Sequence, residues 1–286
     1  MEPRPPASAP DAGSHVRIDA FGLSDVGKMR KENEDQFLVA SLHKSMQVHH
    51  TSLDVFTAIA DLQQAGAYLL VVADGVGGLG GGRSASSAAV QALASHIASA
   101  VRVYFNRDTD VEDAFLAELE RGVDLSHQRI REQLGQSASR GPATTLTVVV
   151  VAWPRTYFVH VGDSRAYLFR NGALRQLTRD QTVAEELVDQ GVMTEEQATR
   201  SGLKNVLTSA LGGSEIKPSL GLVDLARGDA LLLCTDGLTK HVTDETITAE
   251  LGRGEGAEAT CRRLVDDALA GGGSDNVSVI VARAVP

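Results

Sequence analysis

Apolar positions along this chain follow two rhythms. Strand-length apolar or alternating runs occupy residues 16–23, 36–42, 68–73, 144–153, 156–161, 165–169, 220–224, 230–234 and 277–283. Longer stretches at 84–104 and 110–134 place apolar residues at helical spacing, with Leu116, Leu119, Val123 and Ile130 on one face of the second. Residues 183–191, 195–200 and 258–269 also read as helices. Asn171-Gly172, just after the 165–169 run, is a hairpin turn signal. Strands in hairpin order, with helical pairs inserted, do not make alternating βαβ units. The pattern predicts an α+β fold: two antiparallel sheets packed face to face, flanked by helices on both sides (α-β-β-α).

The chain has 286 residues, 43% of them apolar, enough for a sizeable core. Residues 1–14 hold four of the eight prolines and are expected to be a disordered tail, with one domain over 15–286 and no repeat. The net charge of −10 argues against nucleic acid or an anionic membrane as partner. Cys234 and Cys261 are too few for a zinc site or a disulfide framework, so a reducing cytoplasm is expected. No run approaches the ~20 apolar residues of a membrane span, and no signal peptide is expected. The connection at 43–67 is long. It is read as a hairpin insertion or mobile loop, with His49 and His50 as solvated loop residues.

The acidic residues add chemistry to this frame. Tyr-Leu-Leu-Val-Val-Ala runs into Asp74-Gly75, and Ala-Leu-Leu-Leu-Cys-Thr runs into Asp236-Gly237. Asp275-Asn276 stands before Val-Ser-Val-Ile-Val, and Asp163 lies between two strand-like runs. Any one Asp-Gly after a strand is ordinary turn chemistry. Several carboxylates gathered at one edge repel each other and are costly to ionise unless a cation compensates. Hard ions such as Mg²⁺ or Mn²⁺ take oxygen ligands of this kind, and glycine lets a backbone carbonyl come close. Arg30, shortly before Glu34-Asp35, is either part of a mixed-charge surface loop or a group that grips phosphate through its planar fork.

With these residues assembled, the chain resembles the PPM family of metal-dependent Ser/Thr protein phosphatases (the type 2C-like group), in its bacterial form. The matching segments are Ser24-Asp25-x-Gly27-x-x-Arg30-x-x-Asn33-Glu34-Asp35, Ala73-Asp74-Gly75-Val76-Gly77-Gly78, Ala143-Thr144-Thr145-Leu146-Thr147, Gly162-Asp163-Ser164-Arg165-Ala166-Tyr167, Leu177-Thr178-Arg179-Asp180, Thr235-Asp236-Gly237-Leu238 and Ser274-Asp275-Asn276-Val277-Ser278. The ordered set, not any single segment, carries the resemblance. It implies removal of phosphate from serine or threonine on proteins by a metal-activated water, opposing Ser/Thr kinases. Two or three Mn²⁺ or Mg²⁺ ions are implied. Asp74 would bridge two of them, the Gly75 carbonyl would complete one, and Asp236 and Asp275 would hold the other. Asp163 with Asp236 would form a third-metal site, with Asn205 near it. Arg30 would bind the substrate phosphate, and Glu34, Asp35 and Asn276 would lie in the outer shell. Residues 180–213 match a small flap subdomain beside the site, and a monomer is expected.

Three departures qualify this. Val76 stands where many eukaryotic relatives have the histidine proposed as general acid, and valine cannot donate a proton. His160, near Asp163, reads as a structural strand histidine rather than a replacement. Gln181-Thr182 stands where relatives often carry His-Ser, and the 43–67 connection is longer than usual. No Cys-x5-Arg signature of a cysteine phosphatase occurs. The competing readings are a catalytically inactive binding module, which usually loses metal carboxylates, and a phosphatase tuned to one regulatory phosphoprotein.

Overall fold

Side-chain alternation sets the layers. A computed structural model describes residues 16–42, 46–53, 66–77, 81–104, 111–134 and 141–285; the expected tail, Gly78 and the middle of the 43–67 connection lie outside them. In chain order the strands are β1 (Arg17–Asp25), β2 (Gln36–Leu42), β3 (Met46–Thr51), β4 (Ala67–Ala73), β5 (Gly75–Val76), β6 (Ala143–Thr144), β7 (Leu146–Ala152), β8 (Arg155–Val161), β9 (Arg165–Arg170), β10 (Ala173–Gln176), β11 (Ser219–Asp224), β12 (Ala230–Cys234) and β13 (Val277–Val285). A six-stranded sheet runs β11-β8-β7-β4-β2-β3, a five-stranded sheet runs β1-β13-β12-β9-β10, and β5-β6 form a short ribbon. Every strand pair among the described residues is antiparallel.

Period-two patterning sends successive side chains of one strand to different layers. In β7, Val149 and Val151 pack between the sheets against Leu231, Leu233 and Ile280, while Val148 and Val150 face α1 (Gly81–Tyr104) and α2 (Val111–Leu134). In β12, Leu232 and Cys234 face α6 (Asp244–Gly252) and α7 (Ala257–Ala270) on the far side. Both faces of each central strand are thus buried, and the molecule has the expected four layers.

The structure departs from the sequence reading in short elements. β3 pairs with β2, so the long connection does begin as a hairpin, and His50 stacks on Phe21 with ring centroids 4.6 Å apart. α6 was not evident from periodicity, because it offers only Ile247 and Leu251 as large buried apolar residues. A signal for it existed, since Thr243 caps it by accepting from Thr246 N and two acids fill its first turn. Strand β10 shows no alternation because it is a largely exposed edge strand. Asn171 and Gly172 both take positive φ, 51° and 79°, as the hairpin between β9 and β10 requires.

Candidate active site

Sheet register brings the acidic residues to one edge of the sandwich. Asp74 follows β4, Asp163 lies between β8 and β9, Asp236 opens α5 (Asp236–Thr239) directly after β12, and Asp275 precedes β13. Arg30, Glu34, Asp74, Asp163, Asp236 and Asp275 all line a single cavity of about 700 Å³.

Threonine and serine hydroxyls hold these loops at fixed spacing. Asp74 N donates to Thr145 Oγ1 (2.9 Å), and Thr145 Oγ1 lies 2.7 Å from Ser164 Oγ, which couples the Asp74 and Asp163 loops. Thr144 Oγ1 donates to Asp74 O (2.8 Å). Below the cavity, Asp35 Oδ2 accepts from Thr235 Oγ1 and Ser278 Oγ, each at 2.8 Å, tying β2 to the ends of β12 and β13. Asn276 Nδ2 donates to Val26 O and Glu32 O, and its Oδ1 accepts from Glu34 N, all at 2.9 Å. It therefore staples the Arg30 loop to the start of β13. Gly75 has no room for a side chain: a Cβ would fall 2.6 Å from Glu34 O and closer still to Gly82 O.

The electrostatics are those of crowded carboxylates. Burial, and then the neighbouring Asp35, Asp236, Asp163 and Asp275, push Asp74 well above the ordinary carboxylate range. Burial, with Asp236 and Asp180, raises Asp163 to about 7. Asp35 is also raised to about 7, chiefly by burial, although its two hydroxyl donors oppose the shift. Asp275 goes the other way: burial works to raise it, but hydrogen bonds from Lys240 and Arg30 outweigh that and hold its pKa low. Arg30 grips Asp275 with a fork, Nε to Oδ1 at 2.7 Å and Nη2 to Oδ2 at 2.9 Å. Lys240 Nζ bridges Asp236 Oδ2 (2.6 Å) and Asp275 Oδ2 (2.7 Å). Lys240 escaped the sequence reading, although its i+4 spacing from Asp236 would have pointed to it once a helical turn at 236 was known.

Among the described residues, no group of three or more His, Cys, Asp or Glu side chains stands in a ready-made metal-holding arrangement. Two of the carboxylates are turned toward Lys240 and Arg30 instead. The residues nonetheless suit a hard cation. Asp236 Oδ1 and Asp35 Oδ1 are buried with no hydrogen-bond partner, Asp74 is surrounded by like charge, and Gly75 lines the same cavity.

The 180–213 segment folds as α3 (Val183–Asp189), α4 (Glu195–Arg200) and a 3₁₀ turn at Gly202–Asn205. The backbone bridge Thr182–Leu207 closes the segment on itself, Thr144–Leu211 joins it to the body, and Val206, Leu207 and Ala210 wall the cavity. Asn205 lines both this cavity and a polar pocket of about 100 Å³ beside Asp163 and Asp180. Gln181 has a definite job here. Its backbone N donates to Gly162 O (2.7 Å) and its Oε1 accepts from Gly162 N (3.0 Å), fastening the flap to the Asp163 loop. Val76 is 45% exposed at the rim and offers no polar atom. His160 is fully buried between Thr147 Oγ1 (2.9 Å) and Arg179 O (3.1 Å), and burial lowers it to about 4. It is a neutral structural group, as its place in a strand suggested.

Comparison with known proteins agrees with this geometry. The protein phosphatase 2C family pattern matches residues 54–270. The serine/threonine protein phosphatase PstP of Mycobacterium tuberculosis is 40% identical over 226 residues, 79% of this chain, which spans only 42% of that protein's length. The protein phosphatase PhpP of Streptococcus pneumoniae is 33% identical over 263 residues, covering 90% of this chain and 94% of its own. A crystal structure of the PstP catalytic domain in complex with two manganese ions superposes with a TM-score of 0.70 at 32% identity, covering 95% of this chain and 100% of that one. The chain belongs to the protein phosphatase 2C family.

Proposed function

We propose that this chain hydrolyses phosphoserine and phosphothreonine on proteins, the substrates of Ser/Thr kinases, and does so as a cytoplasmic monomer built from residues 15–286. The observation that carries the reading is the convergence of Asp74, Asp163, Asp236 and Asp275 on one cavity with Arg30 at its mouth. In this reading Asp74 and the Gly75 carbonyl, together with Asp236 and Asp275, hold two Mn²⁺ or Mg²⁺ ions, and Asp163 with Asp236 takes a third. When bound, such ions supply Lewis acidity and ionise water near neutral pH.

The side chains do the rest. Arg30, half exposed over Asp275, exchanges that carboxylate for the phosphate oxygens and matches their charge with its fork. Asp35 sets the spacing of the Asp236 and Asp275 strand ends through Thr235 and Ser278. Asn276 holds the Arg30 loop in register, and Glu34 faces the cavity beside Asp74. Neither Val76 nor His160 supplies the leaving group's proton, the first for lack of a polar atom and the second for lack of access. The flap at 180–213 forms one wall and shapes the choice of protein substrate. Among the described residues no helix is long and apolar enough to cross a membrane. Retention of all four aspartates argues against an inactive binding module.

Purified protein with Mn²⁺ is expected to cleave p-nitrophenyl phosphate and a phosphothreonine peptide. Asp74→Ala should lose at least ~100-fold in rate, the scale set by removing one preorganised electrostatic contributor. Equal activity in the variant would overturn the site assignment.

A further inference from the structure

Lys240 has a position that the proposed hydrolysis does not use. Its ammonium lies 2.6 Å from Asp236 Oδ2 and 2.7 Å from Asp275 Oδ2, with the side chain 29% exposed. Its backbone N donates to Asp236 O at 2.9 Å, so the cation is leashed to the same helical turn that presents Asp236. A charge held on so short a tether acts at high effective concentration. Two of its three donors are spent on carboxylates that carry the negative charge of the site.

We propose that Lys240 is a tethered cation that pairs with Asp236 and Asp275 in the metal-free protein and must be displaced before a divalent ion binds there, so that it raises the metal concentration the site requires. The inference rests on the proposed metal-holding role of those two aspartates. A divalent ion and the ammonium need the same oxygens, and a displaced lysine left nearby still repels the ion. Displacement is feasible because an ammonium is well hydrated in water. The adjoining polar pocket, which Lys240 also lines, leaves room for the side chain to move toward Asp163 and Asn205, although Arg165, paired with Asp180, and Lys204 line it too. The same contact joins the turn after β12 to the start of β13 and relieves the repulsion between the two carboxylates. Lys240 is therefore a positioning residue rather than a catalytic one.

The test is calorimetric titration of MnCl₂ into the chelator-treated full chain and into Lys240→Gln and Lys240→Ala. Both variants are expected to bind Mn²⁺ at least ~10-fold more tightly, the scale of losing hydrogen bonds to charged groups. Their metal-free forms should unfold at lower temperature than the native chain. A purely structural lysine would lower the unfolding temperature without tightening metal binding. In the native protein, lysine-directed labelling read by mass spectrometry should show Lys240 protected without Mn²⁺ and labelled faster with it. Unchanged or weaker Mn²⁺ binding in the folded variants, or Lys240 labelling that does not rise, overturns the proposal. Absence of Mn²⁺ binding in the native chain and in both variants would instead refute the metal-holding role of Asp236 and Asp275, and this inference with it.

Discussion

Asp35 lies 1% exposed beneath the cavity, with one oxygen shared by Thr235 and Ser278 and the other without a partner. Its folded pKa of about 7 stands above the ordinary 3.8, with burial as the main cause. Between those values the native chain keeps a proton that the unfolded chain has released. Stability contributed by this group is therefore full below about pH 4 and is lost as pH rises through about 7. Asp35→Asn keeps an oxygen acceptor for both hydroxyls and removes the charge. In urea denaturation of chelator-treated protein, the native chain should lose stability relative to Asp35→Asn between pH 4 and pH 8, by on the order of a few kcal/mol. Groups that do not interact with Asp35, such as His160 with its opposite shift, are common to both proteins and drop out of the difference. Asp74, which the Asp35 charge helps to raise, is relieved in the variant and adds to the difference in the same direction. A flat difference across that range would refute the assignment of a buried, charge-costly Asp35. The sequence marked Asp35 by its motif alone. Its partners lie about 200 and 243 residues away, and only the packing of β2 against the ends of β12 and β13 makes the carboxylate buried.

The flap is stable only through what fastens it. α3 and α4 are short helices with one fully buried residue each, Ala184 and Ala198, so little apolar burial holds them. Their order comes from caps at Thr182 and Thr194 and from the bridges at Thr182 and Thr144. Gln181 adds the clamp on Gly162, and its Nε2 donates to Lys217 O at 2.8 Å. Gln181→Ala leaves the Gly162 N–H without its side-chain acceptor, at a cost of about 1–2 kcal/mol. Hydrogen exchange at Gly162 and across 181–208 should then quicken by roughly tenfold, while strands β7 and β12 stay protected. Unchanged exchange at Gly162 would show that the clamp carries no weight. Helices α1, α2 and α7 were readable because each repeats its apolar face over several turns. α6 and β10 were not, because an element of one or two turns, or an exposed edge strand, leaves no period to detect.

The whole molecule stands on the layer between its sheets. Leu231 is fully buried there, packed with Leu233, Val149, Val151 and Ile280. Leu231→Ala should cost about 2–5 kcal/mol, from lost transfer energy plus the cavity left behind. Thermal unfolding should fall by several degrees, with Mn²⁺-loaded and chelated protein shifted alike, because the site lies at the sheet edge and not in this layer. A shift confined to the metal-loaded form would mean that the core and the site are coupled. Strand periodicity, the two-sided burial of β7 and β12, and the aspartates beside glycines could all be read from neighbouring residues, because each depends on side-chain size, charge or backbone freedom within a few positions. The tertiary structure decided what those residues meet. The Asn276 staple, the Gln181 clamp and the contact of Lys240 with Asp275 each join separate segments of the chain, and those partners are fixed by sheet register and packing; only the contact of Lys240 with Asp236 is local, one helical turn away. Four carboxylates could be expected at strand ends from order alone, but that a lysine of the same chain balances two of them is a fact of three-dimensional distance.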